Sequence, residues 1–265
     1  MELVTLDVVL LMPEILRGRA VKCSELLSER MQVSGPGSCF RLGKPFPGDG
    51  AGLCEPHVSL FMLSVSEAET TEVTNVVERL AETLSPLHAY GAEYLHNPQG
   101  ALELHFTRSV AWRALQRAVV AVVEPLRRGR LRDIDPSGAG ILELLDDTSQ
   151  DDSRRRQLRR YGYDEIADES YGGHDRFSPH VTLAWPRDPL FRVTAEGLPS
   201  AEAFSGLLTE LAVFGMSPYG TCTKNYGTFS LGPVPAPPVR RASRASDAGP
   251  LAGSGSAHRS RTGAC

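Results

Sequence analysis

Apolar and polar positions alternate along this chain with two different periods, and the changes of period mark out its elements. Residues 2–12 are rich in apolar and β-branched side chains and predict a buried strand. From Pro13 to about Met31 the spacing turns helical, with Ile15, Ala20, Cys23, Leu26 and Leu27 on the inner face. A second strand is predicted at about 55–65. Ser66 and Glu69 then form a capping-box signature for a helix whose stripe is Val73, Val76, Val77, Leu80 and Leu84. Residues 90–96 and 101–107 flank Asn97-Pro98-Gln99-Gly100 and predict a β-hairpin. Within it His105 either points outward or lines a cleft. A helix over about 108–128 closes a first lobe.

The second half is more punctuated. An apolar strand is expected at 140–145, followed by an acidic run from Asp146 to Asp152 and a basic one from Arg154 to Arg160. That order suits an exposed helix, negative in its first turn and positive later, with a substrate-facing basic patch as the rarer alternative. Residues 161–173 read as a loop with helical fragments. A strand over 176–185, a short helix over 199–206 and a final hairpin across Ser217-Pro218-Tyr219-Gly220 follow. Residues 34–54 carry six glycines and three prolines together with Arg41 and Lys44. A loop this long is either a functional lid or binding loop, or a disordered insertion. From residue 233 to 265 the chain is Pro-, Ala-, Ser- and Arg-rich with almost no large apolar residue, so it cannot offset its ordering entropy and is expected to be disordered. Its Arg240-Arg241-Ala242-Ser243 weakly resembles a basophilic kinase site.

Composition narrows the function classes. A net charge of -4 over 265 residues disfavours a protein that coats nucleic acid nonspecifically, yet allows a small or end-specific phosphate substrate. Five cysteines, Cys23, Cys39, Cys54, Cys222 and Cys265, form no paired motif of a zinc finger or disulfide framework. The start lacks a basic region before an apolar stretch, and no apolar run is long enough to span a bilayer. The expectation is a reduced, cytoplasmic enzyme or binding protein, with no membrane and no obligate protein partner.

Two stretches carry the chemistry. Pro56-His57-Val58-Ser59-Leu60 recurs 123 residues later as Pro179-His180-Val181-Thr182-Leu183. Read as strands, each turns a valine and a leucine into a core and a histidine and a hydroxyl to the other face. Proline, which cannot donate to a ladder, suits the first residue of each strand. Two imidazoles facing one cleft suit acid–base catalysis, because histidine titrates near neutral pH. One takes a proton from an attacking hydroxyl or water and the other gives one to a departing alkoxide. Ser59 and Thr182 stand where they would hold the non-bridging phosphate oxygens. This chemistry requires no metal or cofactor. A metal site of His57, His180 and an aspartate such as Asp175 is the rival, but hydroxyls are poor ligands and no H-x-H or H-E-x-x-H spacing accompanies them. A single such motif would be an ordinary strand histidine; two matched copies are not.

The paired stretches resemble the H-x-[ST]-hydrophobic motifs of the two-histidine (2H) phosphoesterase superfamily, in particular the bacterial RNA 2′-5′ ligase and 2′,3′-cyclic phosphodiesterase family. Residues Phe177 to Ala184 are similar to that family's second motif over eight positions. The resemblance implies an α+β, bilobal and pseudo-symmetric fold, with two antiparallel sheets and flanking helices around a central cleft. The lobes would be roughly 1–130 and 131–232, with elements free to exchange between them. It implies metal-independent cleavage, or reversible formation, of 2′,3′-cyclic phosphate or 2′-5′ phosphodiester bonds in RNA ends or a nucleotide-like metabolite. His57 and His180 would be the acid–base pair, in an order the sequence leaves open, and Ser59 and Thr182 the phosphate-binding groups. Arg41, Lys44, Arg187, Tyr219 and Tyr226 are further candidate substrate contacts; Phe61 suits the core better. The competing class is a non-catalytic module that holds an RNA end or nucleotide in the same cleft.

Overall fold

A computed structural model describes residues 3–48, 52–168 and 175–232; the tail and its Arg240–Ser243 stretch lie outside the described residues. The chain is α+β, and all its strand pairing is antiparallel. Strand β1 (Leu3–Leu11) leads into α1 (Glu14–Ser34), and β2 (His57–Ser66) leads into α2 (Thr70–Ala81). Short β3 (Leu87–Ala89) precedes the hairpin of β4 (Gly91–His96) and β5 (Leu102–Phe106), then α3 (Val110–Val123). After α4 (Ile141–Asp146) and α5 (Asp152–Tyr161) come β6 (His180–Ala184), β7 (Gly206–Leu208), β8 (Glu210–Ser217) and β9 (Thr221–Ser230).

The strands form a four-stranded sheet ordered β2-β1-β8-β9, a three-stranded sheet ordered β4-β5-β6, and a β3-β7 pair. Each larger sheet draws on strands from both sides of residue 130. Helices pack on both sheets: α2 packs on β8 and β9 and α3 on β2, whereas α1 packs on β6 of the other sheet.

Both motif strands show one apolar and one polar face. Val58, Leu60, Val181 and Leu183 are fully buried, while His57, Ser59, His180 and Thr182 are partly exposed. Each buried aliphatic contributes about 1.5–3 kcal/mol. A slip of one residue would exchange the faces, so the core itself holds the histidines in place. The hairpin between β4 and β5 turns at Gly100, whose φ of +85° and close approach to the Phe191 carbonyl leave no room for a side chain.

Ser66 and Glu69 close the capping box as expected, although the first turn is a tight 3₁₀ one over Glu67–Glu69. Four expectations differ from the structure. The stretch 140–145 is mostly helical rather than extended, in α4 from Ile141 on, because Ile141, Leu144 and Leu145 recur at i, i+3 and i+4 and bury together against Leu158. In α1 the inner face is Leu16, Ala20, Cys23, Leu27 and Met31. Ile15, one position and so about 100° of helix rotation off that stripe, is 71% exposed. Between Gly162 and Asp168 the described residues contain no helical fragment. The loop at 34–54 is not a disordered insertion over its described residues, because Cys39, Phe40, Leu42 and Cys54 bury into the main core.

Candidate active site

A cleft of about 520 Å³ opens between the polar faces of the two motif strands, and His57, Ser59, His180 and Thr182 all line it. The two rings are held alike. His57 Nδ1 lies 2.6 Å from the Glu55 carbonyl and His180 Nδ1 lies 2.8 Å from the Ser178 carbonyl. In each case the partner is two residues back, a contact that the Pro entry into the strand leaves open by starting the ladder at the histidine. With Nδ1–H donated to a carbonyl, Nε2 is the nitrogen left for chemistry. The side chains are 11% and 19% exposed, enclosed yet reachable. Glu55 is itself fixed by a two-pronged ion pair from Arg17 of α1.

The surroundings of the two rings differ. Around His180, β5 pairs with β6 so that His105 faces His180 and Glu103 faces Thr182. His105 stacks on His180 with centroids 5.3 Å apart, and its nitrogens reach Ser178 Oγ and Glu103 Oε2, each at 3.0 Å. The other Glu103 oxygen, Oε1, accepts from Asn97 Nδ2 at 2.9 Å and stands 3.8 Å from His180 Nε2. Burial alone would lower the His180 pKa, but the carboxylates of Glu103 and Glu165 and the Ser178 carbonyl outweigh it, and the net direction is upward. Burial likewise pushes the Glu103 pKa up, but His180, His105 and Asn97 bring it below the ordinary value.

Around His57 the balance is reversed. Burial holds its pKa below the ordinary value, against the pull of the Glu55 carbonyl, and the charge on His180 adds to the depression. Its nearest carboxyl is Asp7 of β1, fully buried, with Oδ2 3.9 Å from His57 Nε2 and accepting from Ser59 Oγ at 2.7 Å. Desolvation raises Asp7 to about 7 despite the Ser59 hydrogen bond and the Arg132 charge. The Cys222 thiol of β9 completes the cluster, 3.4 Å from His57 Nε2.

The segment from Asp135 to Glu165 forms one wall. Buried Gln116 ties it to β2, donating to the Leu60 and Glu165 carbonyls at 3.0 and 2.6 Å and accepting from Ala167 N at 2.7 Å. Arg154 pairs with Asp164 at 2.6 Å and Asp135 at 3.1 Å, and Arg176 pairs with Asp151 at 3.0 Å. The basic side of α5 thus reaches the cleft through Arg154, with its charge already met.

Of the candidate contacts, only Tyr219 lines the cleft. It adopts φ of +63°, rare for a residue with a side chain, and packs against Trp185 with ring centroids 5.4 Å apart. Arg41 pairs with Glu25 at 3.6 Å, Arg187 donates to the Ser38 carbonyl at 3.3 Å, and Lys224 sits over the Tyr226 ring. These three and Lys44 are not among the cleft-lining residues. Phe61 is buried, edge-on to Tyr163. Asp175 holds Arg113 and the Phe177 amide and likewise does not line the cleft. Sequence reasoning passed over Asp7, Glu103, Trp185 and Cys222. The lone carboxyl in the apolar run of β1, and the Glu103–His105 alternation in β5, were the available signals.

No family model matches the chain, and no curated protein matches it. Solved structures do. The chain is similar in fold to E. coli LigT. Against the LigT complex with NADP+ the TM-score is 0.45 at 13% identity, covering 87% of this chain and 99% of that one. For the complex with 3′-AMP the TM-score is 0.44 at 12% identity, with the same coverage of both chains. A protein described as a phosphoesterase gives 0.44 at 12% identity, again over 87% and 99%.

Proposed function

We propose that this protein is a metal-independent phosphoesterase that opens a 2′,3′-cyclic phosphate, or cleaves a 2′-linked phosphodiester, in a nucleotide-like small molecule. The observation that carries this reading is the matched hold on the two histidines. Both donate Nδ1–H to the carbonyl two residues back and turn Nε2 toward the same cleft. The opposite pKa directions support a division of roles, with His57, lowered, as the base and His180, raised, as the acid. In hydrolysis of a cyclic phosphate, His57 Nε2 takes the proton of the attacking water as its oxygen bonds to phosphorus. One ring P–O bond breaks, and His180 Nε2–H protonates the departing alkoxide.

Thr182 Oγ1, with no hydrogen-bond partner among the described residues, is the hydroxyl ready for a non-bridging oxygen. Ser59 would join it once Asp7 carries a proton and ceases to require the Ser59 one. Trp185 and Tyr219 supply the aromatic faces on which a base would stack. A small substrate is favoured over an RNA end by the charge of the wall: its arginines are paired with Asp135, Asp151 and Asp164. A polynucleotide backbone needs unpaired Lys and Arg along its path.

The test is mass-spectrometric product analysis, with EDTA present, on 2′,3′-cyclic mononucleotides and on 2′-5′ and 3′-5′ dinucleotides. Turnover in the parent, lost in both His57→Ala and His180→Ala, is expected. Activity surviving both substitutions would overturn the site assignment. Ligand binding without turnover in the parent would favour the non-catalytic module.

A further inference from the structure

The His57 side of the cleft holds three groups that acid–base catalysis does not require together. Asp7, His57 and Cys222 present a carboxylate oxygen, an imidazole nitrogen and a sulfur that all lie within 4.8 Å of one another. The separations are 3.4 Å for Cys222 Sγ to His57 Nε2, and 3.9 Å for both Asp7 Oδ2 to His57 Nε2 and Asp7 Oδ2 to Cys222 Sγ. In a tetrahedral site with metal–nitrogen bonds of about 2.0 Å and metal–sulfur bonds of about 2.3 Å, neighbouring ligand atoms stand roughly 3.3–3.6 Å apart. The sulfur–nitrogen separation matches that spacing, and the two carboxylate separations exceed it by about 0.4–0.6 Å, which a rotation of the Asp7 side chain would have to close.

Three further features point the same way. The three residues sit on different strands of one sheet, β1, β2 and β9, so the spacing is set by rigid elements rather than by a loop. Asp7 faces the cluster with Oδ2, and its other oxygen, Oδ1, is buried with no hydrogen-bond partner, so the carboxylate as a whole is under-satisfied. Finally, Asp7 and Cys222 are both fully buried, and of the three residues His57 is the one that lines the cleft.

From this geometry we infer that Asp7, His57 and Cys222 form a site for a thiophilic divalent cation such as Zn²⁺, with a fourth position open to the cleft. The donor set, one sulfur, one nitrogen and one carboxylate oxygen, selects zinc or cobalt over magnesium and calcium, which prefer oxygen alone. Binding displaces the Cys222 proton, and that of Asp7 where it is present, to solvent, and the ion supplies the counter-charge that the buried pair lacks. Because the ion takes His57 Nε2, it removes the lone pair of the base. Zinc is then an inhibitor of the proposed reaction, a corollary that rests on the phosphoesterase reading, whereas the binding itself does not.

The experiment is a Co²⁺ titration of the full chain, stripped with a chelator and kept reduced with a phosphine, in the absence of any phosphoester. One equivalent should bring up intense visible bands of a tetrahedral ion with a thiolate-to-cobalt charge-transfer band, and Zn²⁺ should bleach both. Cys222→Ser should abolish the charge-transfer band. His57→Ala and Asp7→Asn should each weaken binding by more than about tenfold, at least the scale on which supporting groups of a metal site act. Circular dichroism checks that each variant is folded. Should Asp7→Asn fail to fold, the other two decide the matter. No band, or a band undiminished in Cys222→Ser because another cysteine is the ligand, would overturn the site. These outcomes are independent of turnover, so failure here and failure of the phosphoesterase reading are told apart.

Discussion

The two halves of the cleft begin from the same five-residue pattern and arrive at opposite electrostatics. On the His180 side the neighbouring carboxylate, Glu103, is held by Asn97, His105 and His180, and its pKa falls below the ordinary value. On the His57 side the neighbouring carboxyl, Asp7, receives one hydroxyl and is otherwise desolvated, and its pKa rises to about 7. An ionised carboxylate favours a protonated imidazole, while a buried site without one favours the neutral ring. Protonation in this cleft is therefore decided by the strands that flank the motifs, β5 and β1, and not by the motifs themselves. Matched motifs set the positions; on the proposed reading, unmatched neighbours divide acid from base.

Removing either histidine should have the largest effect. His57→Ala and His180→Ala are each expected to lower kcat on the order of 10²–10⁴-fold, measured under saturating substrate. A loss confined to one variant would break the symmetry of the pair.

Asp7→Asn addresses the unpaired carboxyl through stability. A folded pKa of about 7 against an ordinary 3.8 means that the folded state binds more protons in between. Parent stability should fall as pH rises from about 4 to about 7 and level off above, by on the order of a few kcal/mol. In Asp7→Asn that slope should disappear, leaving the variant relatively more stable at pH 8 than at pH 5 in urea denaturation. An unchanged slope would show Asp7 ionised as freely as a surface carboxylate.

The aromatic wall comes next. Tyr219→Ala is expected to raise KM about tenfold with less change in kcat, as a stacked base worth about 1–3 kcal/mol would require. The subtlest change is Glu103→Gln. It keeps the shape and removes the negative charge that lifts His180, so the alkaline limb of the kcat/KM profile should move to lower pH while the acidic limb, set by His57, stays. Movement of the acidic limb instead would exchange the two roles.

Much of this architecture was legible in the sequence, for reasons that can be named. Period-two alternation located β2, β5 and β6 and put His57, Ser59, His180 and Thr182 on one kind of face. The capping box and the Asn97–Gly100 turn gave boundaries that the structure keeps. Short elements were harder, because Ile141 to Leu145 suits a strand or one helical turn equally until Leu158 is there to pack against. Long-range partners were not legible at all. Asp7 meets Ser59 across 52 positions, and Cys222 meets His57 across 165, through a sheet order no local pattern encodes. Arg41, Lys44 and Arg187 are charged and near the motifs in sequence, which does not place them in the cleft. The structure gives Arg41 and Arg187 other partners and leaves all three outside the cleft lining.

The central claim is that one cleft holds a neutral His57 beside a protonated His180. The direct measurement is a pH titration of the imidazole ¹⁵N resonances by NMR, with His57→Ala and His180→Ala to assign them. The account requires His180 to titrate above the ordinary histidine value and His57 below it, with neutral His57 protonated on Nδ1 and bearing its lone pair on Nε2. Titration in the reverse order, or a neutral His57 carrying its proton on Nε2, would contradict it.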